Sequence, residues 1–397
     1  MFRCITEITI KQNSEGRNKS LFFDFVNEFE ASDTWVDLTN QATVKFPKNI
    51  YVRDENDKLY PLGGDNKSIG GFSNETPLFL KGDLISINFG YWLFDKLGNE
   101  KRELPQEPIF KGYITEVISK MPIELKCEDN MWRLKQISAP NKLFPQKSFT
   151  WEAILKELLT GTGFTVNALT STRIGDFRTQ NETVAQVIER VRKDFHLEAY
   201  FRGNELRCGA KVYVDEDNIV NGVEIANTFV FQENIISDDL AYKRKDDTIL
   251  SAVCYSVNSF ELTTTTKTGK TKTKNERLEI LVYWDKKLNE FKFQKKEKGK
   301  EYPQNIEGER RSLYFWNIKN VNDLFTKGVD ELKKFYYTGF KGKFTTFAIP
   351  YIRQGSNIYI KDNVLPERNG KYKVKGVNYT GGTSGHRQEI ILDYKIS

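Results

Sequence analysis

Histidine and cysteine are scarce in this chain of 397 residues, with 2 of the first and 4 of the second. Cys4, Cys127, Cys208 and Cys254 stand singly and far apart, so neither a paired zinc-ligand spacing nor a disulfide framework is present. Each lies in or beside an alternating segment, where a lone cysteine behaves as a small buried hydrophobe. Histidine is the commonest general base. Here it occurs only as His196, between a helical and a strand-like pattern, and as His386, in the turn-like string GGTSGHR. Neither has a nucleophile motif beside it, and HExxH and GxSxG do not occur. No apolar run approaches the roughly 18 residues of a membrane span. MFRCITEITIKQ alternates polar and apolar residues instead of showing the apolar stretch of a signal peptide. These absences describe a soluble chain made and assembled in the cytoplasm, without metal, cofactor or membrane insertion.

Other sources of chemistry are equally thin. Glu128 and Asp129 in CEDNMW are adjacent, and neighbouring side chains of a strand point to opposite faces, which suits a structural corner better than shared acid/base work. GGDNKSIGG and TGTGF lack the strand–lysine–helix context of a phosphate loop. The net charge of +6 does suggest a nucleic-acid partner, but its location argues otherwise. From Lys267 to Lys300 there are twelve Lys/Arg against five Asp/Glu, which leaves the rest of the chain at −1. A nucleic-acid binder spreads phosphate contacts over a groove or face. Here the excess lies in two exposed tips, TTTTKTGKTKTKNER and KKEKGK. Lys270, Lys272, Lys274, Arg277, Lys295 and Lys296 are the candidate partner contacts.

What the chain has in quantity is strand-forming material: 28 Phe, 18 Tyr and repeated period-two alternation. In CITEITI, Cys4, Thr6, Ile8 and Ile10 share one face. LFFDFVNEFE, ATVKFP, LISINFGYW and IFKGYITEVIS continue the pattern, and residues 54–77, rich in Gly, Asn and Asp, read as one long loop. From about residue 126 the period becomes helical. SFTWEAILKELL is one helix, ended by Gly161 or Gly163. A second carries the stripe Val184, Val187, Ile188, Val191 and Phe195, with Thr179 and Glu182 at capping-box spacing. LEAYF and ELRCG follow as a hairpin turning at Arg202, Gly203 and Asn204. Strands return after residue 223, with one more helix at about 320–337 started by Asn320 and Asp323. The fold class is therefore mainly β with an α+β insertion. The expected division is 1–125, 126–222 and 223–397, the last with a basic hairpin projecting at about 255–300.

Several stretches resemble the phage baseplate and tail hub proteins, a family that spans the T4-like central hub, the late-control D proteins and the N-terminal part of siphophage tail-tip proteins. WVDLTNQATVKFPKNI is similar to their early barrel segment, and FKGYITEVISKMPIELKCEDNMWRLKQ to the part that follows. Residues 179–208 resemble the helix and hairpin of the family's insertion, and RQGSNIYIKDNVLPERNGKYKVKGVNYTGGTSGHRQEIIL its closing strands. The resemblance implies two related tube-like β-barrels flanking the insertion, a homotrimer whose six barrels form a pseudo-sixfold ring, and no enzymatic activity. The implied partners are the hexameric tail tube or distal tail protein, the trimeric spike or tip, and the tape-measure protein. DNA would pass through the lumen without specific binding, and the assembled protein would sit in the virion tail. Siphophage versions often carry a C-terminal peptidase or fibre; this chain stops at Ser397 just after the last strand, so none is expected. Two other functions fit the residues less fully: a nucleic-acid- or polysaccharide-binding module using the basic hairpin, and a cell-wall glycosidase. The latter needs two carboxylates about 5–9.5 Å apart in a cleft.

Overall fold

The computed structural model describes residues 2–396 apart from 14–16, 48–50, 62–76, 96–97, 120–121, 146–147, 169–175, 210–218, 221–222, 225–226, 245–249, 257–259, 266–270, 277, 286, 297–300, 303–308, 316–317 and 319. The first strands are β1 (Phe2–Lys11), β2 (Ser20–Phe23), β3 (Glu28–Thr34), β4 (Gln41–Phe46) and β5 (Tyr51–Arg53). After them come β6 (Leu59–Pro61), β7 (Leu84–Phe94), β8 (Glu100–Glu103), β9 (Phe110–Ile118) and β10 (Ile123–Glu128). Alternation decides their faces. Thr6, Ile8 and Ile10 of β1 point inward, as do Ile85, Ile87 and Phe89 of β7, and the two strands register with Ile8 opposite Ile87 and Ile10 opposite Ile85. The loop expected over 54–77 is interrupted early. Tyr51–Arg53 and Leu59–Pro61 pair as a short hairpin, with Asp57 taking a positive φ at its turn, and residues 62–76 lie outside those described.

The insertion holds α1 (Met131–Lys135), β11 (Lys142–Phe144), α2 (Trp151–Leu158), β12 (Thr165–Ala168) and β13 (Phe177–Thr179). It continues with α3 (Val184–Phe195), β14 (Glu198–Arg202) and β15 (Glu205–Gly209). Val184, Val187, Ile188 and Val191 are buried in a core of their own with Met131, Trp151, Leu155 and Leu206, and Phe195 packs at its margin. The capping box is real but sits four residues later than the spacing predicts. Thr183 caps α3, accepting from the Gln186 amide, while the Gln186 side chain accepts from the Thr183 amide. Thr179 is held in β13, and Glu182 is taken by Arg190 at 2.8 Å, which keeps its carboxyl below the usual range. The turn between β14 and β15 is Gly203–Asn204, with Gly203 at φ +55°.

Two short strands, β16 (Ile219–Val220) and β17 (Val223–Glu224), precede β18 (Asn227–Val230), β19 (Ile235–Lys243) and β20 (Leu250–Ser256). Then come β21 (Phe260–Thr265), β22 (Thr271–Glu276), β23 (Glu279–Asp285), β24 (Glu290–Lys295) and β25 (Glu309–Phe315). The chain closes with α4 (Val321–Phe335), β26 (Gly339–Thr346), β27 (Asn357–Lys361), β28 (Gly370–Gly382) and β29 (Arg387–Lys395). The protein is mainly β, and its largest sheet takes strands from both ends of the chain. Its order is β19-β26-β29-β28-β3-β4-β10-β9-β7-β1-β2-β5-β6. The join is β28. Its first residues pair with β27, and Gly376–Gly382 pair antiparallel with Thr34–Glu28 of β3. One apolar core accordingly holds Ile8 and Phe89 together with Tyr372, Tyr379 and Ile390.

His386 closes this seam. It lies in the β28–β29 turn, as the sequence suggests, yet it is fully buried among the rings of Phe29, Phe89 and Tyr91. Its Nδ1 is 3.1 Å from the Gly90 carbonyl oxygen, which can only accept, so Nδ1 carries the proton. Nε2 then accepts from the Thr6 hydroxyl at 3.0 Å. Tyr91 donates to the His386 carbonyl at 2.9 Å and accepts from the Ala348 amide at 3.2 Å. Gly381 is required beside it, because a Cβ there would overlap the Phe29 ring. Gly381→Ala is expected to destabilise the fold by about 1–3 kcal/mol through overpacking at the seam, read as a lower denaturation midpoint at unchanged m-value. Burial lowers the His386 pKa from 6.5 to about 4, so the unfolded chain takes up this proton before the folded chain does. The stability it contributes is complete above about pH 6.5 and is lost as the pH falls toward 4, by roughly 3 kcal/mol. Melts of the unsubstituted chain and of His386→Asn across that window should differ by this slope, whatever other groups titrate there; parallel profiles would place the titration elsewhere.

Candidate partner-contact surface

Two of the candidate cations, Lys295 and Lys296, lie at the end of β24 in a second sheet built on β20. This four-stranded sheet runs β24-β23-β20-β25, with β25 parallel to β20 and the other pairs antiparallel. One face is closed by α4, where Leu324 and Leu332 meet Ala252, Cys254, Ile280 and Val282. Gly328 admits the close approach, since a Cβ there would lie 2.6 Å from the Cys254 Sγ. Asn320 starts the helix as expected, accepting from the Asp323 amide at 2.7 Å. The return arm differs from a capping box: Asn320 Nδ2 donates to the Asp323 carboxylate at 2.6 Å. Aspartate is one carbon shorter than glutamate and meets the cap's side chain instead of its backbone.

Between β20 and β23 the chain makes the β21–β22 hairpin, which among the described residues pairs only with itself. Lys272 stands opposite Thr264 and Lys274 opposite Leu262. Lys270 and Arg277 lie outside the described residues. Lys295 is the exposed last residue of β24, opposite Ile280. Lys296 is ion-paired, with Nζ 3.0 Å from Glu279 Oε1. The described candidates thus fall on two elements, the hairpin and the outer strand of the four-stranded sheet.

Sequence reasoning missed one contact near this layer. His196 ends α3 in the left-handed conformation, φ 52°, and its ring stacks on Tyr314 of β25 with centroids 3.4 Å apart and planes 12° apart. Tyr314 stacks in turn on its register partner Tyr255, at 5.1 Å. The helix end of the insertion is thereby laid against the four-stranded sheet. No local pattern marks it, because period and capping describe only what lies within one element.

The residues weighed for chemistry hold structure. Glu128 pairs with Lys135 at 2.6 Å. Asp129 is buried, which pushes its pKa up to about 7, and its two oxygens accept from the Asn40 and Met131 amides at 3.0 and 2.9 Å. It brackets the corner where β10 turns into α1. Burial pushes the Cys208 and Cys254 thiols up to about 12, and Trp151 Nε1 donates to Cys208 Sγ at 3.3 Å. Among the described residues no group of three or more His, Cys, Asp or Glu is placed to hold a metal ion, and no helix is long and apolar enough to cross a membrane. An open polar cleft of about 780 Å³ lies between residues 36–41 and α3, where Arg192 donates to the Val36 carbonyl at 2.8 Å. The Lys296 ammonium is half exposed while the Glu279 side chain is mostly covered, so Glu279→Gln is expected to destabilise by on the order of 1 kcal/mol, and by less in high salt. Denaturation midpoints at two ionic strengths check this.

No family model and no curated protein sequence matches the chain. Solved structures do. A tail protein from Neisseria meningitidis aligns over 99% of this chain and 96% of its own length, with 10% identity and a TM-score of 0.52. The 43 kDa tail protein of prophage MuSo2 from Shewanella oneidensis aligns over 98% of each chain, with 11% identity and a TM-score of 0.50. A chain of the Francisella PdpA–VgrG complex aligns over 100% of this chain and 58% of its own, with 10% identity and a TM-score of 0.50. The end-to-end match shows that the chain has the fold of these tail proteins.

Proposed function

We propose that this chain is a structural subunit of a phage tail or baseplate, or of a related injection machine, and not an enzyme. Three copies form a ring that joins the hexameric tail tube or distal tail protein to a trimeric spike or tip, meets the tape-measure protein, and encloses the DNA channel. The observation that carries this reading is the large sheet that runs through both ends of the chain, in an architecture aligned over nearly all of two tail proteins, one of them from a prophage. In this reading residues 1–125 and 223–397 are the two ring-forming regions, so three chains supply six, and residues 126–222 ride outside them. Ring closure fixes the number of copies without further information. The chain is made and assembled in the bacterial host cytoplasm and ends in the virion tail.

The test is the mass of the particle. Light scattering or mass photometry of the purified chain, alone or with its tube partner, is expected to give about three times 46.1 kDa. A chain that remains monomeric with every tail component and never enters a tail particle would overturn the reading.

A further inference from the structure

The face of the large sheet turned away from its core changes character along its length. Between β26 and β9 it is polar, and neighbouring strands carry matched charges: Lys343 with Glu389, Glu28 with Lys45, and Glu116 with Lys126. At the last strands it becomes apolar. Val52 of β5 is buried, so Tyr51 and Arg53 on either side of it point away from the core. The register sets Pro61 and Leu59 of β6 opposite these two, and Phe22 of β2 opposite Arg53. Tyr51 is 62% and Leu59 60% exposed. Arg53 has Asp57 at 3.6 Å, but Asp57 is almost wholly exposed and such a pair contributes little. This end of the sheet is an apolar face with a cation in it.

The far end of the same sheet is β19. Its register against β26 slips between Ile235 and Ser237, which leaves Ile236 as an extra residue, 43% exposed. The turn before β19 is bonded to a loop that carries a second apolar side chain. Gln232 donates to Asp362 at 3.0 Å and accepts from the Asn363 amide at 3.1 Å, and the next residue, Val364, is 71% exposed. The charge here has the other sign. Asp239 faces Lys343, whereas Asp238 is exposed and stands opposite Phe344, with no cation across the ladder from it. Two kinds of contact between copies could cover these ends. Like on like would set Arg53 beside Arg53 and stop at two copies. Unlike on unlike brings opposite charges together and continues head-to-tail until a ring closes. We propose that the β5–β6 face of one copy packs on the β19 end of the next, Tyr51 and Leu59 against Ile236 and Val364, with Arg53 beside Asp238. The contact is made by side chains. β6 is short and Pro61 has no N–H, so this end is a poor template for adding a strand. The proposal rests on the reading that the chain assembles with copies of itself, and names the surfaces that meet.

Cross-linking and charge exchange test it on the full chain. Leu59→Cys and Val364→Cys are made in separate chains, mixed at a dilution where copies exchange, concentrated, and treated with a short bismaleimide. Mixing is expected to give a covalent pair of twice 46.1 kDa. Neither variant alone should exceed the background of the unsubstituted chain, in which Cys127, Cys208 and Cys254 are buried. Arg53→Asp and Asp238→Arg are each expected to weaken self-association in a mass-photometry dilution series by at least about tenfold, and the two together to restore most of it. Thermal melts confirm that each variant is folded. Absence of either the mixed cross-link or the restoration would overturn the contact. So would a cross-link in Leu59→Cys alone, which would show like faces meeting. Trimers that form without the cross-link and ignore both charge reversals would overturn this contact and leave the hub reading standing. If the unsubstituted chain does not self-associate, alone or with its tube partner, the contact is overturned, and incorporation into tail particles decides the hub reading separately.

Discussion

Bringing the two ends of a chain of nearly four hundred residues into one sheet is an entropic problem before it is a packing problem. Closing such a loop costs more as the loop lengthens, though only logarithmically, and the cost falls on a few contacts that must form together. Those contacts gather where β28 meets β3. The backbone ladder from Gly376 to Gly382 provides direction and register, while the rings of Phe29, Phe89 and Tyr379 provide buried apolar area. His386 and Tyr91 then make the arrangement specific. Each of their hydrogen bonds contributes about 0.5–1.5 kcal/mol, but losing one partner strands a buried polar group at a cost of roughly 1–3 kcal/mol. Near misses at the seam are therefore penalised more than a correct fit is favoured, which is what a unique join requires.

The rest of the molecule is arranged so as not to disturb that join. The insertion packs around Trp151, Leu155 and Val187, and the four-stranded sheet with α4 packs around Cys254, Val282 and Leu324; neither shares its apolar cluster with the seam. Each can be carried as an appended body. The stack of His196 on Tyr314 and Tyr255 touches the two bodies together by their rims. For a subunit proposed to build a ring this separation is useful, because the appended bodies can vary without altering the geometry of the sheet that the seam holds.

How far each feature was legible follows from the range of the interaction behind it. Alternation in β1 and β7, the apolar stripe of α3 and the turn at Gly203 were readable because each depends on neighbours within one or two turns of chain. The cap of α3 was misplaced by four residues because Thr179 and Thr183 offer the same local spacing; the competing bonds of Thr179 in β13 and of Glu182 with Arg190 decide between them. The carboxylates Glu128 and Asp129 were correctly read as a corner, since adjacent residues diverge in any strand. The basic segment was equally plain, being a matter of composition. That its described lysines divide between a self-paired hairpin and the end of β24 was not.

By itself the sequence determined the element types, the inward faces of the strands, the scarcity of reactive groups and the single basic segment, all set by period, propensity and charge along the chain. The tertiary structure alone decided that β28 joins β3, that His386 is a buried hydrogen-bonded wedge and not a surface turn residue, and that β19, among the described residues, pairs with β26 at the end of the large sheet. The physical reason is the same in each case. Pairing of distant strands is governed by the shared burial of side chains hundreds of residues apart, and neither partner carries a mark of the other until the fold has brought them together.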